Sequence, residues 1–365
     1  MVKSLLRDRV VLITGGAGFI GSNLAARLLG QSGVSVRIFD NFSRSGVEHN
    51  VRWLKSLAPA GRLEIARGDV RKASQVATAV SGVNEIYHLA AQVAVTTSVD
   101  DPHTDFEVNA LGTLNVLEAA RRSDERPMVL FTSTNKVYGS LHSVPVQAGS
   151  TAYSAVDPGF EGVNEDAPLD FHSPYGCSKG AADQYIRDYA RIYNLPTIVF
   201  RMSCIAGPRQ FGNEDQGWVA HFLYSVLAGR RINIYGDGLQ VRDLLHVDDL
   251  LDAMQAVHAH LLTTRGEIFN VGGGMQRAVS ILELLRRIEH LTGESFDAIY
   301  GDVRPGDQPL YITDTAKLTA ITGWRPLRSL NEILADIYAF WKENWKLIGD
   351  RSEISAEPIL KQGAA

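Results

Sequence analysis

The sequence predicts an α/β protein: a doubly wound parallel sheet with helices on both faces, followed by a smaller, discontinuous C-terminal α/β lobe. Three observations predict it. Short apolar, β-branched runs alternate with stretches of helical spacing up to about residue 206. The first of those runs breaks into a cluster of glycines that opens a helix. After about Gly207 the rhythm changes to helix-rich segments and longer loops. A chain of 365 residues has room for about two domains.

Val10–Thr14 is the first apolar run, and it passes through Gly15-Gly-Ala-Gly-Phe-Ile-Gly21 into the helically spaced stretch 22–29. The second run, Val34–Phe39, ends at Asp40. Further strands are predicted at Leu63–Ala66, Glu85–Leu89, Pro127–Thr132 and Pro196–Phe200, with helical stretches between most of them. In the second half, 218–227 and 280–291 are the clearest helices, and Ser280 with Glu283 makes a capping box that Gly293 answers at the other end. Residues 140–170 are polar, hold Pro145, Pro158 and Pro168, and read as an insertion near the site. The resulting division is a core over 1–206 that holds the glycine cluster, rejoined by segments near 240–274, a second lobe over 207–345, and a polar tail over 346–365.

Lys plus Arg number 36 against 41 Asp plus Glu, a net charge of −5, which argues against nucleic acid or an anionic membrane as the main partner. Two cysteines, Cys177 and Cys204, supply no disulfide framework. No segment approaches the roughly 18–20 apolar residues of a membrane span, and the first 12 residues lack the pattern of a secretory signal. A cytoplasmic enzyme without a bound metal is expected, because no His/Cys/Asp cluster has ligand spacing.

Gly16-x-Gly18-x-x-Gly21, with Gly15 before it, follows a predicted strand and opens a predicted helix, the context of a Rossmann-type phosphate turn. Side chains there would obstruct the turn or the approach of a pyrophosphate, and the helix start, including Phe19 and Ile20, offers amides to it. Asp40, with Asn41 beside it, stands at the end of the second strand, where a carboxylate accepts both ribose hydroxyls and repels a 2′-phosphate. NAD is therefore the expected cofactor, with Arg44 as the counter-argument for NADP.

Tyr175-Gly-Cys-Ser-Lys179 puts a phenol and an ammonium on one helix face, with Ser173 as N-cap and Pro174 in the first turn. A nearby ammonium favours phenolate, so the pair suits proton abstraction from a sugar hydroxyl. His246-Val-Asp-Asp249 reads as a helix start capped by Asp, and His88 as a packed core residue.

Together with Ser133-Thr-Asn-Lys-Val-Tyr-Gly139, these motifs resemble the extended short-chain dehydrogenase/reductase family of NAD-dependent nucleotide-sugar epimerases and dehydratases, in order from about Arg9 to Leu327. The resemblance implies that Thr134, with Ser133 as a second candidate, bonds the reacting sugar oxygen, that Tyr175 is the acid/base, and that Lys179 holds the nicotinamide ribose and lowers the tyrosine pKa. It further implies an adenine contact at Asp69 and Val70, a cofactor loop at Leu89, Ala90 and Ala91, and a supporting role for Asn109. It implies substrate contacts at Cys204, Arg209, Arg242 and Arg304, with Arg242 and Arg304 on a diphosphate, and a homodimer or tetramer. The segments 133–138, 169–185 and 209–219 are most similar to the branch that inverts C2 of CDP-linked 3,6-dideoxyhexoses. Ala206 departs from a usual tyrosine, and Asn135-Lys136 stands where 4,6-dehydratases carry an Asp-Glu pair. An epimerase of another nucleotide sugar and a catalytically silent NAD-binding scaffold are the alternatives.

Overall fold

The computed structural model describes residues 9–304 and 306–349. Its main sheet contains β1 (Arg9–Thr14), β2 (Val34–Asp40), β3 (Leu63–Arg67), β4 (Glu85–His88), β5 (Met128–Thr134), β6 (Thr197–Met202) and β7 (Ile268–Val271). All pairings are parallel, in the order β7-β6-β5-β4-β1-β2-β3, so the topology reverses between β1 and β4. A crevice opens at the carboxyl ends of the strands at such a reversal.

Side-chain alternation fills both faces. Val11 and Ile13 of β1, Leu130 of β5 and Phe200 of β6 enter one core with Leu24 and Leu28 of the first helix and Leu250 and Met254 of the helix Val247–Ala259. Leu12, Val129, Phe131 and Val199 enter the opposite core, against the helices Ala73–Val80, Gly112–Arg122 and Ser173–Tyr193. Burial on both sides explains why these strands read as continuous apolar runs.

A third core lies outside the sheet, among the helices Trp218–Leu227, Ile281–Thr292 and Leu330–Glu343 and the parallel strand pair Ile232–Tyr235 and Ala298–Gly301. The capping box at Ser280 and Glu283 is present, and Gly293 ends that helix at φ 76°. At Val247–Ala259 the acceptor differs from the one expected: His246 Nδ1, not an aspartate, takes the Asp248 amide at 3.0 Å. Strand Val241–His246 ties the parts together, pairing with Cys204–Ala206, Ala278–Ser280 and Leu310–Tyr311.

Within 140–170 the chain forms a small hairpin, Val146–Ala148 against Tyr153–Ala155. It packs on Val241, Leu310 and Ile312 and is fastened by Tyr153 N to Leu239 O (2.9 Å) and Ser280 Oγ to Thr151 O (2.6 Å). Of the tail, 346–349 belong to a short helix, and 350–365 lie outside the described residues. Among the described residues no helix is long and apolar enough to cross a membrane.

Candidate active site

The glycine turn runs from the end of β1 into the helix Phe19–Leu29. Gly15 has φ 68°, and a Cβ there would lie 2.8 Å from the Ala90 nitrogen, so the loop after β4 closes directly over the turn. A Cβ on Gly21 would lie 2.5 Å from Gly15 O and 2.6 Å from Gly16 Cα. Gly18 is the least crowded of these, with only Gly15 O within contact, at 3.2 Å. The helix that carries Phe19 and Ile20 begins with no side-chain cap and no acidic residue in its first turn. A bare helix start of this kind fits an anionic pyrophosphate.

Asp40 accepts the amides of Ala17 (3.0 Å) and Phe42 (2.8 Å), which links the end of β2 to the glycine turn. Burial pushes its pKa up while those amides and Arg44 pull it down. Asn41 accepts the Ser43 amide and also bonds Asp69. Asp69 is gripped by Arg71 (2.7 Å), which holds its carboxyl below the usual range. The side chain of Val70 is buried in the core against Gly112. Leu89, Ala90 and Ala91 follow β4, where Thr14 Oγ1 accepts the Ala90 amide (3.2 Å) and meets His88 Nδ1 (2.7 Å). His88 Nε2 bonds Thr113 (3.0 Å), and burial pushes its pKa down to about 3, the neutral core histidine the sequence suggests.

Asn109 sits in a π-helical turn, Glu107–Leu111, an irregularity that lets one side chain bond in several directions. Its Nδ2 donates to Gln92 O, Asp105 Oδ1 and Ser178 Oγ (3.0, 3.0 and 3.1 Å), and its Oδ1 accepts the Gln92 amide. It thus joins the loop after β4 to the helix that carries Tyr175 and Lys179.

That helix, Ser173–Tyr193, buries Tyr175 and Lys179 on its sheet-facing side and leaves Cys177 exposed. Ser173 Oγ accepts the Gly176 amide (3.2 Å), a capping bond, although helical residues already begin at Ser173. Tyr175 bonds Thr134, the last residue of β5. Lys179 Nζ donates to Thr132 O (2.6 Å) and lies 4.0 Å from the centroid of the Phe131 ring. The electrostatics differ from the sequence expectation. Burial pushes Tyr175 up to about 12, with Thr134 and Arg44 opposing, and pushes Lys179 down to about 7. The ammonium is turned to the strand carbonyl, so desolvation outweighs any help it gives the phenolate. Ser133 Oγ is buried with no hydrogen-bond partner among the described residues, an open polar position beside Thr134.

Across the cleft, Arg242 donates to Asp307 Oδ1 (2.6 Å), and the same oxygen lies 3.6 Å from Lys136 Nζ. Cys204 belongs to this group: Trp218 Nε1 donates to its sulfur at 3.5 Å, burial pushes its pKa up, and Arg242 and Lys136 pull it down. Arg304 pairs with Asp215 (3.1 Å) and stacks 3.8 Å from the centroid of the Tyr235 ring. Arg209 is placed differently. Its guanidinium lies 3.5 Å from the centroid of Trp53 and 5.4 Å from that of Phe340, and burial alone pushes its pKa down to about 10. Among the described residues no ion pair joins it to the Arg242 and Arg304 groups.

Lys136, Asp307 and Asp105 were not anticipated as site residues. Lys136 stands inside the quoted 133–139 motif, but its meeting with Asp307 requires contact across 171 positions, which no local pattern encodes. Asp105 accepts from Ser178 Oγ behind Tyr175 and raises the phenol's pKa.

The glycine cradle, the bare helix start and Asp40 fit a dinucleotide. Comparison with known proteins agrees. A family model described as GDP-mannose 4,6 dehydratase matches residues 12–337. The chain is 42% identical over 335 residues to CDP-paratose 2-epimerase of Salmonella typhi, spanning 90% of this chain and 98% of that one. It is 33% identical to UDP-glucose 4-epimerase of Mycolicibacterium smegmatis over 332 residues, 91% and 98% of the two chains. Among solved structures, UDP-glucuronic acid 4-epimerase from Bacillus cereus, in complex with UDP-glucuronic acid and NAD, superposes with a TM-score of 0.78 at 26% identity, covering 92% of this chain and 99% of that one. The chain therefore belongs to the GDP-mannose 4,6 dehydratase family, the NAD-dependent nucleotide-sugar epimerases and dehydratases of the short-chain dehydrogenase/reductase type.

Proposed function

We propose that the protein is an NAD-dependent epimerase that inverts C2 of a CDP-linked 3,6-dideoxyhexose, interconverting CDP-paratose and CDP-tyvelose. The observation that carries this reading is the 42% identity, over 90% of the chain, to a CDP-paratose 2-epimerase. Asn135 and Lys136 after Thr134 provide no acid pair for a 4,6-dehydration, which supports epimerisation over the other chemistry of the family.

Bound NAD supplies a hydride acceptor at C2, then the donor that returns the hydride to the opposite face, and carries a positive charge when oxidised. Gly15, Gly18, Phe19, Ile20 and Gly21 hold the pyrophosphate by backbone approach, and Asp40 with Asn41 takes the adenosine ribose. Asp69 and the backbone of Val70 border the adenine, while Leu89, Ala90 and Ala91 lean on the cofactor, braced by Asn109. Lys179 engages the nicotinamide ribose. Tyr175 accepts the C2 hydroxyl proton and returns it after the 2-keto sugar has presented its other face. Thr134 hydrogen-bonds the same oxygen. Arg242 and Arg304 exchange their carboxylate partners for the substrate diphosphate, with Cys204 at the sugar.

Residues 1–206 with 240–274 thus serve the cofactor, and 207–345 mainly the substrate. Exposed Val99, Phe106, Leu111, Tyr185, Ile192 and Tyr193 lie on helices that pack beside one another, which supports a homo-oligomer formed through the Tyr175 helix.

The test is incubation with CDP-paratose or CDP-tyvelose, following the C2 proton by NMR. Inversion is expected, with Tyr175→Phe reducing turnover by about 100-fold or more while NAD binding persists. No inversion of either sugar by NAD-bound protein would transfer the assignment to another nucleotide sugar, such as the UDP-hexoses of the 4-epimerase relatives.

A further inference from the structure

We propose that Lys136 grips the phosphate attached to C1 of the sugar, and that this grip is what brings C2 to Tyr175. The inference rests on the C2 reading above and adds to it a residue that selects the carbon.

Lys136 lies two positions past Thr134, and its own amide donates to Thr134 Oγ1 at 3.2 Å. The backbone that carries the ammonium is therefore tied to the hydroxyl that bonds Tyr175. The side chain enters the cleft and is poorly satisfied there. An ammonium has three donors, yet among the described residues the contacts of Nζ are Gly306 O at 3.3 Å and Asp307 Oδ1 at 3.6 Å. That carboxylate oxygen is already taken by Arg242 at the much shorter 2.6 Å. The three charges sum to one surplus positive charge in a largely buried cluster, with 20% of the Lys136 side chain still exposed. Burial and the neighbouring guanidinium together push the ammonium's pKa down to about 8, against the opposing pull of Asp307. The anion a nucleotide sugar brings is its diphosphate.

Substrate connectivity then decides the position. C2 is separated from the nearer phosphorus by three bonds, through C1 and the glycosidic oxygen, whereas C4 is separated by five, across the ring. Holding C2 against Tyr175 and Thr134 draws that phosphate toward Thr134, where a site for C4 needs no cation. Lys136 occupies that position. Asp307 covers both cations before substrate arrives, so the incoming phosphate competes with one carboxylate rather than with two separate ion pairs.

The test uses NAD-loaded protein and Lys136→Met, with Lys136→Gln as the alternative if the first fails to retain NAD or its wild-type melting temperature. Calorimetric Kd values are measured for the nucleoside diphosphates CDP, UDP, dTDP and GDP and for the matching monophosphates. The wild type is expected to favour its preferred diphosphate over the monophosphate, and the variant to lose about ten-fold or more of the diphosphate affinity, leaving the monophosphate unchanged. Lys136→Arg should recover part of the loss. A variant that binds the diphosphate as the wild type does, or a wild type with no preference for it, overturns the grip. If the grip is measured but NMR shows inversion at C4 and not at C2, Lys136 does not select the carbon and the C2 reading fails with that part alone.

Discussion

A methyl group added at Gly21 tests whether the phosphate turn is as tightly closed as the structure requires. The alanine Cβ would meet Gly15 O at 2.5 Å and Gly16 Cα at 2.6 Å, both backbone atoms that cannot rotate away. Restoring an ordinary carbon contact of roughly 3.5 Å means parting helix and turn by about 1 Å. Overpacking of this kind costs about 1–3 kcal/mol, which at about 2–4 °C per kcal/mol lowers Tm by several degrees. The same shift moves the turn amides away from the pyrophosphate, and losing one bond to a charged group weakens NAD binding by about ten-fold or more. Gly30, at the other end of the same helix, is the control. It has φ −70°, and an added Cβ would meet Arg27 O at 3.4 Å, so Gly30→Ala should be neutral or stabilising by up to about 1 kcal/mol. Thermal unfolding and calorimetric titration with NAD read both effects. A Gly21→Ala protein with wild-type Tm and Kd, or a Gly30→Ala protein equally damaged, would refute the reasoning.

Asp40→Asn replaces one acceptor of the Ala17 and Phe42 amides by a donor and removes the charge proposed to meet the ribose. NAD affinity should fall about ten- to hundred-fold and NADP affinity less, as measured by calorimetry; equal losses would contradict the assignment. Asp183→Asn leaves Arg201, bonded to it through two contacts of 2.9 Å, buried without its carboxylate. A loss of about 3–5 kcal/mol should appear as a lower urea midpoint, and an unchanged midpoint would show that Tyr138 alone satisfies the guanidinium. Lys179 has a folded pKa of about 7 against an ordinary 10.5, so between those values the unfolded chain binds more protons than the folded one. The contribution of this group to stability therefore rises with pH across that window. In cofactor-stripped protein the urea midpoint should climb more steeply from about pH 7 to 9 in the wild type than in Lys179→Met, and parallel profiles would count against the burial of a strained ammonium.

What was legible in the sequence shares a common cause: the signal lies within a few residues. The strands β1 to β6 show as apolar runs, the Ser280–Glu283 box as a local cap, and the Tyr175–Lys179 pair as a spacing of four. β7 was not singled out as a strand, although Ile268–Val271 lies within the segments near 240–274 expected to rejoin the core, and its place is fixed by pairing with β6 about 70 positions earlier. The Lys136–Asp307–Arg242 cluster and the pairing of Arg304 with Asp215 depend on distant segments meeting. The packing of Arg209 on Trp53 and Phe340 likewise depends on segments far apart in the chain. The direction of the Tyr175 shift could not be read from spacing, because it is set by desolvation, which depends on everything packed around the phenol.

The position of β7 at the sheet's edge also governs how the molecule is made. Asn270 donates to Val163 O and accepts from Tyr138, whose backbone belongs to the turn that follows Thr134. Its own amide donates to Glu165. A nascent chain that has not yet released residues 268–271 from the ribosome already contains Tyr175, Lys179 and the complete glycine turn, yet it presents β6 as an open, apolar edge. Such an edge pairs readily with other strands. Translation past Val271 is thus the point at which β6 becomes an interior strand and the edge passes to the shorter β7, and chains truncated before it should be recovered as inclusion bodies rather than as free cofactor-binding domains.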